Sequence, residues 1–316
     1  MSKSTRQAFG ESLAQWGEKR KDIVVLDADL AKSTKSEIFG KKFPDRFFEM
    51  GIQEANMIGA ASGLAFTGKM PFLCSFGCFL TGRYDTIRLS VAYAQANVRL
   101  VGTHAGVGIG DDGHSQMGLE DVSLMRSLPT MGVFQPMDAR ETELVMDYLV
   151  EKWQGPAYLR LTRQNLPNLM PAGAKWEAGK VLKLTDFDPS AKRKIVAFAT
   201  GAGTAEAMKA HEFLKNSGLS IAVYNVHSLK PFDDAGAWNA VQGADLVITV
   251  EDHSVIGGLG TCVSEMLSQQ ATHPKLMKIG VQDLFGESGE PEELYEKHGI
   301  SGRSIAEQLK KRFNLY

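Results

Sequence analysis

Glu54 stands at the head of a run of small residues, Gly59, Ala60, Ala61, Ser62 and Gly63, just behind a short apolar stretch (Phe47, Phe48, Met50) that ends in Gly51. Residues of this size suit close, dry packing, and desolvation raises a carboxyl's pKa toward the range where it can hold and share a proton. A second group gathers from His104 onward: GVGIGDDG at 106–113, with Asp111 and Asp112, and then His114. Gly108, Gly110 and Gly113 have the G-x-G-x-x-G spacing of a dinucleotide loop. The two acids, however, would lie where a pyrophosphate must bind, against the electrostatics that make such a loop work. No acidic residue about 20 positions on completes the pattern either, so a nucleotide site is rejected. Glycines and acids at the C-terminal end of a strand instead describe the lip of a site in an open α/β sheet. His104 at that strand end is either a structural hydrogen-bonder or a catalyst. Arg163, in LRLTRQNLP, sets a planar fork at another strand end, fit for a surface ion pair or for a phosphate. His211, His227, His253, His273 and His298 form no matching cluster and are given no role. Cys74 and Cys78 lack the second pair or nearby histidine of a zinc site, and with Cys262 they read as buried small thiols.

The elements that must hold these residues alternate. Apolar runs predict strands at 23–28, 72–76, 98–104, 132–136 and 157–162, separated by helices at 4–19, 53–66, 78–95, 119–128 and 138–153. Such alternation implies a mostly parallel sheet flanked by helices. From Gln164 to about Ser190 the period is lost and three of the eleven prolines cluster, marking a linker with room for a short strand. The alternation then restarts with KIVAFATG, a helix over about 204–216, SIAVYNVHSL, DLVITVED, a helix over 259–270 and KLMKIGV. Two helices close the chain, the second capped by Ser301 and running to about Phe313. The expected organisation is two tandem α/β domains, 1–165 and 191–316, joined by a linker at 166–190.

With 316 residues, 43% hydrophobic and 23% charged, the chain has the composition of a globular enzyme with a large core. A net charge of −2 gives no reason to expect nucleic acid or a membrane surface as partner. There is no membrane-length apolar run and no signal-peptide core at the start; with three cysteines, a cytoplasmic location is expected.

The blocks TRQAFGESL, LDADLAKST, FFEMGIQEANMIGAASGLA, PFLCSFGCF, GTHAGVGIGDDG, LRLTRQNL and VEDHSVIGGLG, in this order and spacing, resemble the transketolase family over nearly the whole chain. The likeness is to its pyrimidine-binding domain followed by its C-terminal domain. The diphosphate-binding domain, with its Gly-Asp-Gly motif and downstream Asn, has no counterpart here. The resemblance therefore implies the second subunit of a split transketolase. Its thiamin diphosphate and Mg2+ or Ca2+ would be held mainly by an N-terminal partner subunit, in an α2β2 assembly, with sugar phosphates as substrates.

The resemblance also implies roles. Glu54 would bond a ring nitrogen of the cofactor's aminopyrimidine and share a proton with it. Phe79 would stack on that ring and Phe76 would line the pocket, while Asp29 would lie near the cofactor at the subunit interface; Gly82 takes the place of a further family aromatic. His104 and Asp112 match contacts to the sugar hydroxyls, and Arg6, Ser33 and Arg163 match a clamp on the sugar phosphate. The loop departs from the family pattern at DGHSQMG: Gln116 stands where a substrate-contacting histidine is usual, with His114 two residues earlier. Gln donates hydrogen bonds but carries no positive charge. The HSQ string also resembles beta subunits of 2-oxo acid decarboxylases, which form an alternative reading. A deoxyxylulose-phosphate synthase-like enzyme and a non-catalytic α/β binding subunit are the others.

Overall fold

The computed structural model describes residues 2–315. Its larger sheet has seven strands, in the order Ser228–Lys230, Gly132–Phe134, Ala157–Arg160, Arg99–Thr103, Met70–Phe76, Ile23–Asp27 and Phe47–Glu49. All pairings are parallel except that of the Ser228–Lys230 edge strand. The alternating pleat explains why IVVLD is apolar almost throughout. Val24 and Leu26 pack on Met57, Ile58 and Ala61 on one face, and Ile23 and Val25 share the other with Phe9, Leu13 and Phe72. The second sheet runs Lys275–Val281, Leu246–Ser254, Arg193–Ala199, Leu219–Asn225 and Leu182–Lys183, parallel but for the last. Leu182–Lys183 is a short strand within the proline-rich segment. Ser301 caps the final helix, Gly302–Arg312, accepting from the Ser304 N–H. No helix among the described residues is long and apolar enough to cross a membrane.

Three features differ from the sequence expectation. SIAVYNVHSL, read as one strand, divides between the two sheets: Leu219–Asn225 stays in the second, and Ser228–Lys230 pairs antiparallel with Gly132–Phe134 of the first. His227, at the switch, uses its carbonyl to accept the Gln135 N–H. The helix expected over 78–95 is broken into Gly77–Thr81, Tyr84–Thr86 and a π-helical turn over Ile87–Tyr93. Wide π turns misalign carbonyls, and here Ser62 donates to the Ser90 carbonyl. Finally, Gly59 and Gly63 do not close on anything within the chain. An added Cβ at either would meet nothing within 4 Å, because the helical period turns both away from the sheet while Ala61 and Ser62 face inward.

Candidate functional site

Every sequence-predicted site residue in the first half lies at or beyond the C-terminal end of a parallel strand or on the helix Thr5–Lys19. The strand Ile23–Asp27 has Phe47–Glu49 on one side and Met70–Phe76 on the other. The chain leaves Ile23–Asp27 toward Phe47–Glu49 but leaves Met70–Phe76 in the opposite direction, toward Arg99–Thr103, so between these two strands opens the crevice in which α/β sheets bind ligands.

One end of the site is cationic. Lys3–Ser4 pairs with Asn165–Leu166, and Thr5 Oγ1 accepts the Thr162 N–H at 2.8 Å; this holds Arg6 and Arg163 on neighbouring segments. Arg6 Nη1 donates to the Ser33 carbonyl at 2.8 Å and lies 2.9 Å from His104 Nε2. Since Arg can only donate, Nε2 accepts and Nδ1 carries the proton, directed at Thr103 Oγ1 2.9 Å away. Burial, reinforced by Arg6, Arg163 and Lys35, pushes the His104 pKa down to about 3, so the ring is neutral. His104 is 2% exposed and adopts a left-handed backbone, φ 56°, uncommon for a non-glycine and characteristic of functional positions. Arg163 donates to the Ile109 carbonyl and lies 3.3 Å from Asp111 and 3.6 Å from Asp112. A cavity of about 460 Å³ opens here, lined among others by Arg6, Lys35, Arg163, Asp111 and Glu290.

The other end carries the acid. Glu54 is the first residue of the helix Glu54–Phe66 and is 4% exposed. Its only side-chain hydrogen bond among the described residues is a long one from Ser75 Oγ, 3.3 Å. Phe76 stacks on His104, with centroids 3.8 Å apart, and on the half-buried Phe79 at 5.5 Å. The two ends are joined, because Thr103 Oγ1 approaches the Ser75 carbonyl at 3.4 Å. A nearly unpartnered buried carboxyl beside a partly open aromatic face fits a flat heteroaromatic ring with a nitrogen to bond. The close packing expected around Glu54 is only partial: it also borders an open cleft of about 480 Å³ with Ile52, Arg83 and Asp85.

Other expected residues are placed less centrally. Asp29 is exposed on the rim, φ 63°, its N–H donating to Glu49 Oε1. Ser33 engages Arg6 through its carbonyl rather than its hydroxyl. Asp112 is exposed beside Arg163. His114 is exposed and faces Phe285 at 6.0 Å, away from the His104 group. Gln116 is half-buried in the turn His114–Gln116, its carbonyl accepting from Cys78 Sγ. Cys78 is thus half-buried, unlike Cys74 and Cys262.

Several residues that position the site carry no local sequence signal. Asp27 ends its strand buried and accepts from the Leu30 N–H, Thr34 Oγ1 and Ser36 Oγ, each at 2.7 Å. Burial outweighs those bonds and lifts its pKa to about 6. Asp252, from the second sheet, takes the Val107 N–H at 2.7 Å and the Gly108 N–H at 3.1 Å, and Tyr295 donates to it at 2.8 Å. The glycine loop is therefore held by a carboxylate 144 residues away in sequence. A Cβ at Gly106, φ 90°, would fall 2.2 Å from that carboxylate; only glycine allows the approach. Below it, Arg160 pairs with Asp121 at 2.7 Å with both side chains buried. His253 and His227, assigned no role from sequence, are buried in this network and beside Glu141 respectively. Their acidic partners, Asp121 and Glu141, lie on helices distant in sequence, so no cluster shows in the sequence.

Residues 1–168 match the model of the transketolase pyrimidine-binding domain, and residues 188–305 match that of the transketolase C-terminal domain. A putative transketolase C-terminal section from Methanocaldococcus jannaschii is 41% identical over 310 residues, 97% of this chain and 95% of that protein. A 6-deoxy-6-sulfo-D-fructose transketolase subunit from a Clostridium species is 36% identical over 95% of this chain and 91% of its own length. Among solved structures, an inactive β4 tetramer of a split-gene transketolase superposes with a TM-score of 0.85 at 38% identity, covering 99% of this chain and 98% of its own. The chain belongs to the transketolase family, whose members generally depend on thiamin diphosphate, and corresponds to the C-terminal section of a split transketolase.

Proposed function

We propose that this chain is the C-terminal subunit of a heteromeric transketolase that moves a two-carbon ketol unit from a ketose phosphate to an aldose phosphate. The observation that carries the reading is the path from Arg6, which shares its cavity with Arg163, through neutral His104, Thr103 and Ser75 to Glu54. An anion-binding end and an acid end are set along the C-terminal ends of neighbouring strands, as a sugar phosphate reacting at its far carbonyl requires. Thiamin diphosphate, when bound, supplies the nucleophilic carbon and the electron sink. Glu54 would bond its pyrimidine ring and share a proton with it, Ser75 would orient Glu54, and Phe79 and Phe76 would hold the ring's face, with Asp29 at the rim. Mg2+ or Ca2+ would be bound mainly by the diphosphate-binding partner.

At the cationic end, Arg6 now occupies His104 Nε2. Drawn to a phosphate with Arg163 and Ser33, Arg6 would release Nε2 to accept from a sugar hydroxyl, while Asp112 and Gln116, with His114 further out, would border the sugar. The exposed apolar face of the Glu54 helix, with Ile52 and Phe66 and the neighbouring Leu89 and Tyr93, supports assembly into α2β2 with the partner subunit. The cytoplasm is the compartment this reading suits.

The HSQ loop favours the decarboxylase-beta alternative, but two arginines at the site suit a phosphate better than a small 2-oxo acid. The test is reconstitution. The chain alone, with cofactor and magnesium, should show no turnover. With a Gly-Asp-Gly-containing partner it should cleave ketose phosphates, accept hydroxypyruvate as a ketol donor, and leave pyruvate and other 2-oxo acids without a 3-hydroxyl untouched. Robust turnover by the isolated chain, or decarboxylation of pyruvate by the complex, would overturn the reading.

A further inference from the structure

Lys35 occupies a backbone conformation that a lysine rarely adopts. It follows the short helix Ala31–Thr34 with φ 70° and ψ 9°, in the left-handed region. A non-glycine there is strained and persists where its surroundings over-determine it. They do so here. Thr34 and Ser36 on either side are fully buried, and both hydroxyls donate to Asp27 Oδ2 at 2.7 Å. Lys35 itself points into neither bond. Its backbone is pressed against the helix that carries Arg6, where a Cβ on Gly10 would come within 2.5 Å of the Lys35 carbonyl and 2.8 Å of its Cβ. Gly10 lies four residues after Arg6, on the same side of that helix.

The strained turn thus sets a cation at the wall of the 460 Å³ cavity, alongside Arg6 and Arg163. Nearby Glu37 is engaged by Lys41 at 2.7 Å. Asp111 and Glu290 also line the cavity and Asp112 lies 3.6 Å from Arg163, so Arg163 is flanked by carboxylates while Lys35 has no ion-pair partner within 4 Å among the described residues.

We propose that Lys35 is a third anion-binding residue of the site, which contacts the terminal phosphate of the donor sugar and favours a dianion over a monoanion such as a sulfonate. This rests on the function proposed above. A phosphate ester carries a charge of about −1.5 to −2 at pH 7, with a second pKa of about 6. A mobile ammonium supplies a point charge that adjusts to whichever oxygens Arg6 and Arg163 leave free.

The decisive variant is Lys35→Gly in the reconstituted complex. Glycine adopts φ 70° freely, so the unfolding temperature of the chain should hold or rise while the cation is lost. KM for a ketose phosphate should increase about tenfold, the effect of one charge-assisted hydrogen bond. Turnover should stay within about twofold, and hydroxypyruvate, which carries no phosphate, should keep its KM. Inorganic phosphate should raise the unfolding temperature of the wild-type complex more than that of the variant. Lys35→Arg should retain the low KM. If Lys35→Gly leaves KM for the phosphorylated donor unchanged while Arg163→Ala raises it, Lys35 is not a ligand residue and the proposed function survives. If neither variant alters that KM, or the wild-type complex does not act on ketose phosphates, the proposed function itself is wrong.

Discussion

The cationic end of the site and the buried network beneath it use the same residue types to opposite effect. In the network, Arg160 and Asp121 lie 2.7 Å apart at 1% and 0% exposure. Tyr158 donates to the same carboxylate, and Arg160 also donates to the Gly118 and Asp252 carbonyls. Burial alone would raise the Asp121 pKa, yet Arg160 and His253 together hold it below its ordinary value. At the site, Arg6 has only a carbonyl and a neutral imidazole to bond. Burial and then Arg163 pull its pKa down, against Asp112. Charge matched by opposite charge is architecture. Charge left in excess, in a cavity, waits for a ligand.

Removing one partner of the matched pair should have the largest effect on stability. Asp121→Ala leaves Arg160 buried and uncompensated, and should cost about 3–5 kcal/mol in denaturant unfolding of the chain. A loss below about 1 kcal/mol would mean that water enters the network and the contrast is false. Asp252→Ala should cost less, about 1–3 kcal/mol in all, because it orphans the N–H groups of Val107 and Gly108 but also removes a carboxylate that burial disfavours. Because it loosens the whole loop, it should raise KM for phosphorylated and unphosphorylated donors alike in the complex.

Arg163→Ala should behave differently. Charge-assisted bonds of about 1.5–3 kcal/mol predict a KM rise of about tenfold to a hundredfold for ketose phosphates. Arg163 also supports the Ile109 carbonyl, so hydroxypyruvate should show a small rise rather than none. Lys at this position should recover only part, lacking the planar fork. Equal damage to both donors would make Arg163 a loop support and nothing more. Smallest is Gly59→Ala: with nothing within 4 Å, it should stabilise the isolated chain by up to about 1 kcal/mol through helix propensity. If the exposed face is an assembly surface, complex formation should weaken in gel filtration. Unimpaired assembly would remove that face from the interface.

How much of this was legible in the sequence depends on how local each feature is. The strand IVVLD, the acid at the start of its helix and the histidine at a strand end are set by pleat, period and chain order within a few residues. All three stand where periodicity and resemblance place them. The Asp252 hold on the glycine loop joins residues 107 and 252, and nothing in either stretch encodes the other. The same holds for the strand Ser228–Lys230, whose apolar pattern continues Leu219–Asn225 although its hydrogen bonds go to another sheet. Period 3.6 continues through 78–95, but it could not show that the backbone widens into a π turn around Ser90. Gly59 and Gly63 read as packing residues because small side chains permit close approach; the sequence does not say to which chain. Lys35 gave no signal at all, since its left-handed turn is imposed by a buried aspartate eight residues earlier.

The central claim is that Glu54 does acid–base work while Arg6 and Arg163 only bind. The direct measurement is steady-state kinetics of Glu54→Gln in the reconstituted complex, with assembly checked by gel filtration. Gln keeps the shape and loses the exchangeable proton, so turnover should fall by about two to four orders of magnitude with every donor, phosphorylated or not. Turnover within about twofold of wild type would contradict the account and leave Glu54 as an acid placed for the helix dipole alone.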